Sequence, residues 1–136
     1  MATLKYLGAL LVVFACVAVP AQPPDALEPP DVVSLLSMEL QDVPGKEMLM
    51  ITVVYPPGGG DPVHRHDAHA FVYVLEGSII MQVRGGDRVT LTPGQTFYEG
   101  PDDLHTIGRN ASSTMPAKFL VLLLKDTGVA PVLPAE

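Results

Sequence analysis

"HRHDAHAFVYVLEGSIIMQVRGG", residues 64–86, holds three of the four histidines and the clearest pair of strands in a chain of 136 residues. Phe71 to Leu75 and Ile79 to Val83 are runs rich in β-branched, aromatic and other apolar residues, joined through Glu76, Gly77 and Ser78. A glycine between two such runs supplies the positive φ that a tight hairpin needs. Phe71, Tyr73 and Leu75 then alternate with Val72 and Val74 between the interior and the outer face of a sheet, and packing accounts for all five.

The pattern repeats outward. "MLMITVVY" (Met48 to Tyr55) is stopped by "PPGGGDP", and "DRVTLTPGQTFYEGPDDLHTI" supplies short strands split by Pro93-Gly94 and Gly100-Pro101. Val32 to Leu40 is read as a strand although Ser34 and Ser37 interrupt its alternation, and Ala117 to Lys125 is a near-continuous apolar strand. Turn signals about every eight to twelve residues, with no amphipathic helix between them, indicate an all-β, antiparallel sandwich or barrel. The length leaves room for a single domain, expected over residues 32–126, with 127–136 as a C-terminal tail.

Upstream, "MATLKYLGALLVVFACVAVPAQ" joins a basic start at Lys5 to an apolar run from Tyr6 to Val19, with small residues at Val19 and Ala21. This reads as a secretory signal peptide, residues 1–21, and places the mature protein in the periplasm or outside the cell. The run is shorter than the about 20 apolar residues of a membrane span. "VFAC" before Cys16 offers lipid anchoring as the alternative, but Phe14 fits a lipobox poorly and soluble export is preferred. Residues 22–31, rich in proline and acid, form an extended arm. Cleavage after Ala21 removes the one cysteine, so no disulfide holds the mature chain. It also removes Lys5 from a chain of formal net charge −7, and the dispersed acids argue against nucleic acid or an anionic membrane surface as partner. A small-molecule ligand is the expected partner.

Chemistry gathers at the histidines. His64 and His66 are two apart, so in a strand both rings project from one face with Cα atoms about 6.5 to 7 Å apart, close enough to clamp one ion. A third ligand must come from elsewhere, and His105, after a turn and at the start of a strand, is the natural candidate. Glycine turns precede both histidine positions.

These residues resemble the cupins. The first cupin motif runs Gly, five residues, His-X-His, three or four residues, Glu, six residues, Gly; Gly58, His64, His66 and Gly77 match it. The second has a Pro-Gly turn, then His, then Asn about four residues on, and "GPDDLHTIGRN" matches at His105 and approximately at Asn110. Pro101 is one place late there, and Asp102 stands where Gly is usual. The resemblance implies a compact antiparallel β-barrel or jelly roll, often a homodimer, with a metal held inside by the motif residues.

One departure matters: the motif's glutamate, normally a fourth ligand, falls on Ala70. Three readings follow. The preferred one is a neutral three-histidine site of His64, His66 and His105, like that of certain thiol- and diketone-cleaving dioxygenase cupins. In the second, His69 is the fourth ligand, although strict alternation puts it on the opposite face and only a bulge or turn brings it round. In the third no metal binds and the histidines line a pocket, as in the epimerase cupins. Glu99, Tyr98 and Arg109 are candidates to orient a histidine, move a proton or face a substrate, while Arg65 points away from its neighbours' metal face.

The expected cofactor is one divalent transition metal. Iron(II) is favoured, with manganese, nickel, copper and zinc as alternatives, since neutral imidazoles accept them all. Two function classes stay open: an enzyme of dioxygenase type acting on a small chelating molecule, and a non-catalytic module that binds a metal or small ligand.

Overall fold

The computed structural model describes residues 27–135. The signal-peptide reading, Cys16 and the first half of the arm lie outside them. Among the described residues eleven strands run in order: β1 (Asp31–Glu39), β2 (Lys46–Tyr55), β3 (Gly60–Asp61), β4 (His64–Arg65), β5 (Ala68–Glu76), β6 (Ile79–Val83), β7 (Val89–Leu91), β8 (Thr96–Glu99), β9 (Leu104–Asn110), β10 (Ala117–Asp126) and β11 (Leu133–Pro134). Among the described residues no helix is long and apolar enough to cross a membrane.

All pairings are antiparallel and form two sheets. Sheet A has the order β1-β2-β10-β5-β8; sheet B has the order β11-β4-β9-β6-β7, with β3 also on β9. The molecule is therefore a jelly roll of two facing sheets, the all-β antiparallel class expected. The long strands come from the β-branched and apolar runs, and the hairpin between β5 and β6 turns at Gly77 with φ 70°. A Cβ there would lie 2.6 Å from the Pro116 carbonyl oxygen, so both dihedral and space require glycine.

The core lies between the sheets. Tyr55, Val72, Val74, Ile79, Met81, Phe119 and Leu123 are buried there. Alternation is strict in β5, where Ala68, Ala70, Val72 and Val74 point in and His69, Phe71 and Tyr73 point out. Within the segment read as a tail, Leu133 and Pro134 form β11 and pair with Arg65 and His64 at the edge of sheet B. Pro30, at the end of the arm, and Val132 both reach the same inter-sheet cavity.

Candidate metal centre

His64 lies on β4 opposite His105 on β9, and His66 follows one residue after β4 ends. His105 and Asn110 are five apart, which in a regular strand would send them to opposite faces. Both are buried inward because β9 bulges. Gln82 pairs with Ile107 but Val83 pairs with His105, leaving Thr106 as the extra residue that shifts the alternation. The bulge also lets the His105 Nε2–H donate to the Ile107 carbonyl at 2.7 Å.

Glu99 completes the group. Its carboxylate and the three rings are buried, and one donor atom from each of the four lies within 4.8 Å of the others. Glu99 Oε2 stands 3.6 Å from His66 Nε2 and 3.4 Å from His105 Nδ1. His64 Nε2 stands 3.1 Å from His66 Nε2 and 3.4 Å from His105 Nδ1.

The register explains where this carboxylate comes from. Ala70, the position on which the motif's glutamate falls, pairs directly with Glu99 across the β5–β8 ladder. Facing residues in such a pair share a face of the sheet. The methyl group of Ala70 leaves space, and the neighbouring strand supplies the acid. The group that the structure brings together thus holds three histidines and one carboxylate, where the sequence reading preferred three histidines alone.

The structure does not bring His69 to the group: no bulge turns it round, and it is exposed on the outer face of sheet A, its Nδ1 2.7 Å from the Tyr98 hydroxyl. Tyr98, also exposed, accordingly belongs to that outer face and not to the cavity. Arg109 lies outside as well, paired with Gly60 and Ile80 beside a shallow surface depression.

Hydrogen bonding fixes the histidine tautomers. The Nδ1–H of His64 donates to the Pro62 carbonyl at 2.8 Å, and that of His66 to the Pro131 carbonyl at 2.5 Å. With His105 donating through Nε2, every ring turns its unprotonated nitrogen to the centre. Burial, foremost, and the neighbouring rings hold His105 down to about 4, and burial also lowers His66. Both rings are therefore neutral at pH 7.

Three converging lone pairs and a carboxylate repel one another unless a cation or proton lies between them. Glu99 Oε2, buried and without a hydrogen-bond partner, is the uncompensated atom of the set. Nitrogen-rich donors with one carboxylate suit first-row transition metals. The residues present fit the divalent metal.

The centre forms one end of a cavity of about 140 Å³ walled by Val53, Val72, Met81, Phe119, Val121 and Leu123. Its remaining polar lining is Tyr55 and Asp61, joined by a short hydrogen bond in which the Tyr55 hydroxyl donates. Burial pushes both groups up. Nothing in the sequence singles out this pair; the only trace is an acid directly after the glycine run, in "GGGDP". Among the described residues no lysine or arginine lines the cavity.

Two facing β-sheets enclosing a buried three-histidine, one-carboxylate centre define a small double-stranded β-helix protein with a candidate internal metal site. A family model described as the cupin domain matches residues 51–123, and the chain belongs to the cupin family. No curated protein matches its sequence. Among solved structures it is similar to the DMSP lyase of Ruegeria pomeroyi, with 28% identity, TM-score 0.56, and coverage of 63% of this chain and 42% of that one. The chain thus spans less than half of that lyase. A cupin-like protein of Thermotoga maritima superposes with TM-score 0.60 at 19% identity, covering 76% of this chain and 73% of that one. A double-stranded β-helix protein of Klebsiella pneumoniae gives TM-score 0.61 at 15% identity, covering 84% and 90%. The last two show the fold alone.

Proposed function

We propose that the chain is an exported metal-dependent enzyme of dioxygenase type, holding one divalent metal, iron(II) by preference, through His64, His66, His105 and Glu99. It acts on a small chelating organic molecule. The observation that carries this reading is the convergence of three unprotonated imidazole nitrogens and an unpartnered carboxylate oxygen at the end of an apolar cavity. A bound divalent ion would supply Lewis-acid and redox chemistry there, and four protein donors leave it capacity for a substrate. The likeness to a lyase at 28% identity supports a catalytic site over storage or regulation. The N-terminal sequence supports export.

The chain's own residues set the substrate class. Glu99 would offset one of the two charges of a divalent ion, and among the described residues no basic side chain lines the cavity. The site therefore suits a neutral or monoanionic chelator and disfavours a dianion. At about 140 Å³ the space lies well below the roughly 300–1,000 Å³ of drug-sized pockets. A molecule of about five to eight heavy atoms fills it, with its polar end at the histidines and its carbon body against Val72, Phe119 and Leu123. The Tyr55–Asp61 pair can hold or pass a proton at the Tyr55 hydroxyl.

The test is anaerobic loading of the purified protein with iron(II), addition of acetylacetone as a small monoanionic chelator, and measurement of oxygen uptake on admitting air. Uptake that depends on protein, metal and chelator together, and disappears in His64→Ala, supports the reading. Chelator binding without oxygen uptake overturns the dioxygenase assignment and leaves a binding module or a non-oxidative enzyme. Failure of the unmutated protein to retain any first-row metal overturns the metal site itself.

A further inference from the structure

Strand β10 ends on a charge that points into the molecule. Phe119, Val121 and Leu123 face the core, and the same alternation carries Lys125 inward, where it is 3% exposed. Directly across the β2–β10 ladder stands Glu47, with which its ammonium forms a buried ion pair. The next rung, turned to the outer face, carries a second ion pair, Lys46 with Asp126 at 2.6 Å, both exposed. A buried pair gives the strand ends no more than well-packed apolar residues would, because desolvation offsets its attraction. What an apolar pair cannot do is donate to carbonyls. The Lys125 ammonium donates to the Val129 carbonyl at 2.5 Å and to the Asp126 carbonyl at 3.4 Å, which with Glu47 occupies its three protons.

Those carbonyls belong to the turn that opens the closing segment, residues 127–134. Only Ala130 separates Val129 from Pro131, so the Cα atoms of the two lie at most about 7 Å apart, and the ring of Pro131 fixes its own φ. Two residues therefore link the ammonium to the carbonyl that accepts the His66 Nδ1–H at 2.5 Å. The ladder gives a second link, since Lys125 pairs with Ala68, two residues beyond His66. His66 is also the ring that needs such an anchor. His64 and His105 donate to Pro62 and Ile107, each two residues from its own ring, whereas the acceptor for His66 lies 65 residues away.

We propose that Lys125 is a positioning residue for the candidate metal centre: it fixes the Val129 carbonyl and thereby keeps the Pro131 carbonyl on His66. The inference rests on the metal-site reading above. An imidazole that loses its acceptor divides its proton between its two nitrogens. With the proton on Nε2, His66 would turn an N–H toward His64 and Glu99 and offer no lone pair to an ion. Lys125 thus acts on the centre without touching it, through the backbone of the closing segment. Pro131 and Val132 wall the cavity, so the same anchor holds that wall in place.

The test reads the imidazole tautomers of the metal-free protein at pH 8 by long-range proton–nitrogen NMR. The unmutated chain is compared with the double variant Lys125→Met, Glu47→Leu, which removes both charges and leaves neither buried alone. The unmutated chain is expected to show His66 wholly as the Nδ1–H form. In the variant His66 is expected to become a mixture of tautomers, while His64 and His105, with their local acceptors, stay unchanged. Zinc affinity, measured by competition with a chelator, should fall by about 10-fold to 100-fold in the same variant. A variant in which His66 stays wholly Nδ1–H overturns the proposal, because β11 pairing alone then holds the segment. A variant in which all three rings change together overturns it as well, since the loss is then general and not directed at His66. If the variant does not fold, the unmutated chain decides: a slowly exchanging Lys125 ammonium with coupling to the Val129 carbonyl supports the anchor, and exchange as rapid as that of a surface lysine overturns it. Should the unmutated chain retain no first-row metal, the metal-site reading fails by itself, and the tautomer comparison still decides what Lys125 does.

Discussion

Glu99 in the metal-free protein is a buried acid with an unpartnered oxygen, and burial, together with Asp103 and Asp61 nearby, pushes its pKa up to about 8. At pH 7 it therefore holds a proton, while the depressed His66 and His105 do not. Raised from 4.5, the carboxyl contributes stability to the metal-free fold that is fully present below pH 4.5 and is lost as pH rises through about 8. A metal reverses this preference, because it needs the carboxylate. Metal binding at pH 7 is accordingly expected to release about one proton, falling toward none above pH 9, measurable by titration calorimetry in buffers of different ionisation enthalpy. No release at pH 7 would place Glu99 outside the ligand set. Substitution separates the two candidate fourth ligands at the same scale. Glu99→Ala is expected to weaken metal binding by one to two orders of magnitude or abolish it, whereas His69→Ala, on the outer face, leaves one metal per chain by elemental analysis. The reverse result would mean that β5 bulges when metal is bound.

Strand β9 shows how an element positions a site. Its bulge turns His105 inward, and two residues beyond the bulge Gly108 lets the Tyr55 hydroxyl and the His105 ring close over the backbone. A Cβ at Gly108 would lie 2.6 Å from His105 Cε1 and 2.9 Å from the Tyr55 hydroxyl. Gly108→Ala is therefore expected to cost about 1–3 kcal/mol of stability and to displace the His105 ring. Chemical denaturation together with metal stoichiometry checks it, and a variant as stable and as metal-loaded as the parent would show that β9 yields easily. Elements of this kind also mark what the sequence could reveal. The strands, the Gly77 hairpin, and His64, His66 and His105 were legible because alternation, glycine spacing and histidine spacing are local signals. Glu99 was legible only as an acid near a turn, because its role depends on pairing across the ladder with Ala70, 29 residues earlier in the chain. The closing segment, with Pro131 and β11, was illegible for the same reason: a carbonyl that receives the His66 proton leaves no side-chain signature.

Across the whole molecule, the candidate ligands come from both sheets. Glu99 belongs to β8 in sheet A, His64 and His105 to β4 and β9 in sheet B, and His66 to the connection between the sheets. The closing segment is tied to the same point through the Pro131 carbonyl. A metal at this position joins the two halves of the jelly roll in the native state and has no equivalent site in the unfolded chain, so its binding energy adds to folding stability. At a free metal concentration about 100 times the dissociation constant the gain is ~2.7 kcal/mol. For a domain of this size each kcal/mol moves the melting temperature by roughly 4–8 °C. Removing the metal with a chelator is therefore expected to lower the melting temperature by on the order of 10–20 °C at pH 7.5, and adding excess metal to restore it. The control is Glu99→Ala, which severs the link to sheet A and should flatten the response. A chelator-induced drop that survives intact in Glu99→Ala would show that the histidines of sheet B hold the metal by themselves, and that the two sheets are joined by their apolar core alone.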